Sequence, residues 1–214
     1  MLELKTYTKA EMAEILGTTD NQGIKRKLNG YGVEYITEGR GKNITFKITK
    51  IKDKFKLFCI TELKFDANTD FDRLMHFMYL FWNYEDYRGT PYNVLVKVLN
   101  DKNKYVSRQT ISNWIDKLEK AGYIWTSIFD FRYYCTINGK IKEIPHELYK
   151  RGWRAYWNSF EKTNDKTTAY YAMRGEAGGY LFKKPIAEIN AFYLNKIDML
   201  IDIINERLSS YGII

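Results

Sequence analysis

Histidine, cysteine and proline are all scarce in this chain, at two, two and three of 214 residues. Cys59 and Cys135 form no CxxC pair, which excludes a cysteine-based zinc finger and suits a reducing compartment. His76 and His146 stand far apart, so neither an HExxH helix nor a paired-histidine nicking site can be assembled. His76 lies among apolar neighbours and reads as a packing residue. Phosphate-cradling glycine motifs and a nucleophile elbow are also missing. Tyr170 and Tyr171 could tempt one towards a nucleophile, but no metal-binding histidines accompany them. Asp198 and Asp202, one helical turn apart, could hold a cation but more often such a pair makes a solvated face. These absences point to a protein that is not an enzyme and needs no cofactor or metal. There is no apolar run of about 18 residues to span a bilayer, and no apolar signal segment at the start. The expectation is a cytoplasmic protein with no membrane partner.

What the chain has is apolar and basic residues: 45% hydrophobic, 16% aromatic, and a net charge of +8. The first figure is enough for a packed core; the last favours polyanionic partners, nucleic acid first. The charge is uneven. Residues 1–60 hold 12 basic and 7 acidic side chains, 61–130 hold 9 and 10, and 131–214 hold 13 and 9.

Near the N-terminus, Thr8 and Glu11 have the spacing of a capping box, with Tyr7 and Met12 placed to staple it. A short helix follows to Leu16, stopped by Gly17. The turn Thr18-Thr19-Asp20 supplies an N-cap candidate for a second helix over residues 21–29. Ile24 and Leu28 face inward there, leaving Gln22, Lys25, Arg26 and Asn29 outside, and Gly23 weakens it by about 1 kcal/mol relative to Ala. Residues 33–37 and 43–51 read as two strands, the second alternating Ile44, Phe46 and Ile48 with polar residues. Between them Gly39-Arg40-Gly41-Lys42 forms a basic tip able to approach phosphate or a groove. A basic and mixed linker over 52–69 holds a Lys-Leu-Phe-Cys-Ile segment that reads as a short strand.

The stretch over residues 105–124 is the most informative. Ser107 is an N-cap candidate, Val106 and Ile111 fit a hydrophobic staple, and Gly122 supplies the stop. Ile111, Trp114, Ile115, Leu118 and Ala121 share one face; Gln109, Asn113, Asp116, Lys117 and Lys120 share the other, with Arg108 at the exposed start. Arg matches guanine, and Asn or Gln matches adenine, through paired donors and acceptors in the major groove. An apolar helix over 70–83 and one from Pro91 to Leu99 precede it, joined by a turn over 101–104. A hairpin over 123–144 turning at Asn138-Gly139 follows.

Helix, helix, then a basic-tipped hairpin resembles a winged helix-turn-helix domain, once over 5–52 and again over 70–144. The chain as a whole resembles tandem winged-helix proteins of Gram-positive phages and mobile elements. The resemblance implies an α+β, mainly α chain: a first domain over 1–56, a second over 66–145, and a C-terminal helical region over 146–214. It implies sequence-specific duplex DNA binding, as a transcriptional regulator or replication-initiation factor. Arg108, Gln109 and Asn113 would read bases, Lys117 and Lys120 would hold phosphate, and Lys25, Arg26, Arg40 and Lys42 would clamp adjacent backbone. Some anti-CRISPR proteins share such domains, so inhibition of an RNA-guided nuclease, through the effector or its guide RNA, is the alternative.

In the C-terminal region, Tyr149, Trp153, Tyr156, Trp157 and Phe160 mark one helix over 145–162. Residues 163–184 read as polar and glycine-bearing. A long helix from Pro185 carries a stripe wide enough for a homodimer seam or for two-sided packing within its own domain.

Overall fold

The computed structural model describes residues 2–100 and 105–210; the turn expected over 101–104 lies outside them. The chain is α+β and mainly helical, with two small antiparallel sheets. It divides into two compact units, each assembled from separated segments. The first comprises residues 1–82, 113–123 and 190–214; the second comprises 83–112 and 124–189.

The first unit opens with β1 (Thr6–Thr8), α1 (Lys9–Leu16), α2 (Asn21–Gly30), β2 (Val33–Glu38) and β3 (Thr45–Ile51). β3 lies between the other two strands, and both pairings are antiparallel. The alternation seen in the sequence puts Phe46 and Ile48 inward, where they meet Met12, Leu16, Ile24, Leu28 and Val33 in one apolar cluster. α3 (Lys54–Thr61) follows, where the sequence suggested a strand. Its residues from Leu57 to Thr61 are all buried, and a helix hydrophobic on every side has no amphipathic period to announce it. Asp53 caps α3, the carboxylate accepting from the Lys56 amide at 2.8 Å.

α4 (Phe71–Asn83) buries Leu74, Phe77, Met78 and Phe81, with Phe77 against Trp114 at 5.5 Å between ring centroids. The last helix, α10 (Leu194–Ser210), closes this unit. The expected helix from Pro185 is corrected: helix begins only at Leu194, and Pro185 belongs to a strand. Ile197, Leu200, Ile203, Ile204 and Leu208, from the stripe read as either a homodimer seam or two-sided packing within its own domain, are buried. Ion pairs tie α10 to α3: Lys196 to Glu62 at 2.7 Å, Lys54 to Glu206 at 3.3 Å, and Arg207 to the Asp53 cap at 2.8 Å.

The second unit holds α5 (Glu85–Arg88), α6 (Tyr92–Leu99), β4 (Ile124–Ile137), β5 (Lys140–Glu143), α8 (His146–Thr163), α9 (Lys166–Ala177) and β6 (Tyr180–Ile189). β4 and β5 turn at Asn138-Gly139, both at positive φ as a tight hairpin requires. β4 also pairs with β6, so the sheet order is β5-β4-β6. The C-terminal region is therefore not wholly helical, a second correction. Pro185 fits β6 because that strand is an edge, where a missing N–H need not break a ladder. α9 arises in the stretch read only as polar and glycine-bearing. The Asp165 carboxylate accepts from the Thr167 and Thr168 amides, and Gly178 at φ 78° closes the other end. Under α8 and α9 lies a cluster of Cys135, Tyr156, Ala169, Met173, Ala177 and Leu181.

One element, α7 (Arg108–Lys120), runs through both segments: it belongs to the second unit as far as Ser112 and to the first from Asn113.

Candidate nucleic-acid interface

In the first unit the pair α1–α2 is fixed at each end by side chains that the sequence places there. Thr8 and Glu11 complete the capping box: the Glu11 amide donates to Thr8 Oγ1 at 3.3 Å and the Thr8 amide donates to Glu11 Oε2 at 2.7 Å. Gly17 ends α1 in the left-handed conformation, its amide donating to the Ala13 carbonyl. Asp20 then caps α2 by accepting from the Gly23 amide at 2.6 Å, the main reason its carboxyl lies below the usual range. Gly23 is explained by the same turn. A Cβ there would stand 2.5 Å from both the Asp20 carboxylate and the Thr18 hydroxyl.

Ile24 and Leu28 of α2 are fully buried, so the helical period turns Gln22, Arg26 and Asn29 to solvent and leaves Lys25 half-buried. Lys27 points back, donating to the Leu16 carbonyl at the end of α1. The hairpin tip is a closed loop rather than a slack one. Gly39 lies at φ 83° against the Asn43 carbonyl, Gly41–Asn43 make one 3-10 turn, and the Asn43 amide donates to the Arg40 carbonyl at 3.1 Å. Arg40 and Lys42 project from it into solvent. The Asn21 side chain donates to the Gly41 carbonyl at 3.5 Å, joining the start of α2 to the tip. Helix face and hairpin tip therefore belong to one braced surface that presents Gln22, Arg26, Asn29, Arg40 and Lys42.

α7 starts as its sequence suggests. Ser107 Oγ accepts from the Thr110 amide at 3.0 Å, and Asn100 brackets Val106 by accepting from its amide and donating to its carbonyl. Ile111, Trp114, Ile115 and Leu118 are buried; Arg108, Gln109, Asn113 and Lys120 are exposed. Lys117 differs from the phosphate role expected of it. Its ammonium pairs with Asp66 at 2.7 Å, donates to the Lys64 carbonyl at 3.2 Å, and lies 5.3 Å from the centre of the Phe65 ring. It is engaged within its own unit.

Of the nine positions expected to meet nucleic acid, Lys25, Arg26, Arg40 and Lys42 come together on the first unit around α2 and the hairpin. Arg108, Gln109, Asn113 and Lys120 are exposed along α7, and Lys117 is engaged elsewhere. Gln22 and Asn29, left out of that set, stand on the same α2 face as Arg26, which a helical wheel of residues 21–30 would have placed there.

Among the described residues no group of three or more His, Cys, Asp or Glu is placed to hold a metal ion, and no helix is long and apolar enough to cross a membrane. No family model matches the chain, and comparison with curated proteins and with solved structures finds no significant match to either.

Proposed function

We propose that this chain binds double-stranded DNA in a sequence-dependent way, with α1 and α2 as a helix-turn-helix and the β2–β3 hairpin as its wing. The observation that carries this reading is the exposed polar face of α2, braced to a basic hairpin tip within one unit. A helix of this width fits the major groove. Arg26 then meets guanine edges, and Gln22 and Asn29 meet adenine edges, through paired donors and acceptors. Arg40 and Lys42 lie on the adjacent phosphates or in the minor groove, where they position the protein without reading sequence. The closed tip loop and the fixed α1–α2 turn mean that little order has to be gained on binding.

The exposed Arg108 and Gln109 at the start of α7, in the same unit as the β4–β5 hairpin, support a second reading surface in the same protein. The biological setting that suits such a protein is a transcriptional regulator or a replication-initiation factor of a mobile element.

Selection of a preferred site from a random duplex library, followed by affinity measurement on that site and on a scrambled one, tests the proposal. Arg26→Ala or Asn29→Ala should narrow the gap between the two sites by about 1–3 kcal/mol per lost base contact. Arg40→Ala should weaken both sites alike. If no site is enriched, or if Arg40→Ala alone erases the preference, the assignment of α2 as reader is wrong.

A further inference from the structure

The surface of the second unit formed by α8, α9 and the start of β6 carries aromatic rings that its core does not use. Trp157 is 53% exposed, Tyr170 41%, Tyr171 63% and Tyr180 48%. Exposed apolar groups gathered in one place ordinarily mark a contact surface, whereas scattered ones do not. These are gathered. Tyr156, buried in the cluster below, touches Trp157 at 5.1 Å and Tyr170 at 5.0 Å between ring centroids, and Tyr170 touches Tyr180 at 6.2 Å. All three contacts are edge-to-face, so none of these rings is stacked flat on its partner.

Cations are set among these rings. The Arg174 guanidinium lies 4.9 Å from the centre of the Tyr180 ring and 5.9 Å from that of Tyr171, and it donates to the Tyr180 hydroxyl at 3.4 Å. Arg154, Lys162 and Lys166 are exposed on the same two helices. From His146 to Lys184 the chain has eight basic and four acidic residues. Two of those acids are already matched within the unit, Glu147 to Lys150 and Glu176 to Arg151, both at 3.2 Å.

We infer that this face is a binding site for single-stranded nucleic acid, on which unpaired bases stack against Trp157, Tyr171 and Tyr180 while Arg174 and the flanking lysines hold phosphates. Stacking platforms interleaved with cations suit single strands because every base has a π-face and a single strand can splay its bases out. A duplex hides those faces and would meet only the charges. The site is separate from α2 and the hairpin tip and does not depend on what they bind.

The test is fluorescence anisotropy of the full chain with labelled dT20, rU20 and a mixed-sequence duplex, on wild type and on Trp157→Ala, Tyr171→Ala and Arg174→Ala. All three side chains are exposed, and far-UV circular dichroism with a thermal melt checks that each variant stays folded. Wild type should bind a single strand, each alanine variant should lose about tenfold or more in affinity, and Tyr171→Phe should retain most of it. Duplex binding should be untouched by Trp157→Ala and Tyr171→Ala. Preference for dT20 or for rU20 would each support the site and identify its sugar. Absence of single-strand binding overturns the inference, as does single-strand binding that survives Trp157→Ala and Tyr171→Ala but is lost with Arg26→Ala and Arg40→Ala. Either result leaves the duplex reading of α2 to its own experiment.

Discussion

Lys27 Nζ on α2 donates to the carbonyl of Leu16, the last residue of α1, across 2.5 Å. That carbonyl is one of the four a helix leaves without a partner at its C-terminal end, and a cation is also favoured there by the helix dipole. One side chain thus ties α2 to the end of α1. Lys27→Met keeps the aliphatic stem and removes the donor, so the unit should lose about 1 kcal/mol in urea unfolding. Lys25→Met, one turn face away, is the control and should change stability by less than half of that. Equal effects would mean that the Lys27 contact does not brace the turn.

Gly23 offers a prediction against ordinary helix propensity. In a helix interior, Gly→Ala stabilises by about 1 kcal/mol. Here the added methyl would press on the Asp20 cap and the Thr18 hydroxyl, and the cap itself is worth about 1 kcal/mol. Gly23→Ala should therefore cancel that gain, leaving the protein no more stable in thermal melts. A higher melting temperature would contradict the turn geometry.

Gly179 lies where a Cβ would strike the backbone carbonyl of Thr136 on β4 and approach the Cys135 sulfur at 2.8 Å. A backbone obstacle cannot swing aside as a flexible side chain can. Gly179→Ala should cost about 1–3 kcal/mol, because β6 must shift on β4 to make room. Gly175→Ala, on the open surface of α9, should be neutral or mildly stabilising. Denaturant midpoints of the two variants provide the comparison.

The segment from α1 to β3 was legible because its elements are local. Thr8 with Glu11, Gly17, Asp20 and the alternation through Ile44, Phe46 and Ile48 each act within a few residues, and each appears in the structure at its expected place. The capped helix from Ser107 was legible for the same reason. What escaped depends on distant partners. β6 is a strand because β4 offers it a free edge, a fact that nothing between Tyr180 and Ile189 states, and Pro185 there resembled a helix start. α3 is buried continuously from Leu57 to Thr61, so it lacked the one-sided pattern that distinguishes a helix from an apolar strand. Lys117 looked like a phosphate contact because Asp66 is distant in sequence. The exposed aromatics of α8 and α9 could not be told from core residues by spacing, since Tyr156 and Trp157 are adjacent and only one is buried.

His76 in α4 is half-buried among apolar residues, and burial, with the nearby Arg73 charge adding to it, holds its pKa below the usual 6.5. The unfolded chain takes up this proton at higher pH than the folded one, so between the two values stability falls as pH falls. The contribution is intact above about pH 6.5 and is lost as the pH drops through the lower folded value. Melting temperature should therefore decline between pH 7 and pH 5 more steeply in wild type than in His76→Gln. Parallel declines would place the acid sensitivity on other groups.

The measurement that bears most directly on the central claim is fluorescence anisotropy of the whole chain on a mixed-sequence DNA duplex, titrated across salt. A protein that lays Arg40, Lys42 and Lys25 on phosphates should bind, with log affinity falling linearly against log salt at about −0.9 per phosphate contact. Arg40→Ala with Lys42→Ala should lower that slope by roughly two. No binding at low salt, or binding whose slope ignores the double variant, would contradict the account.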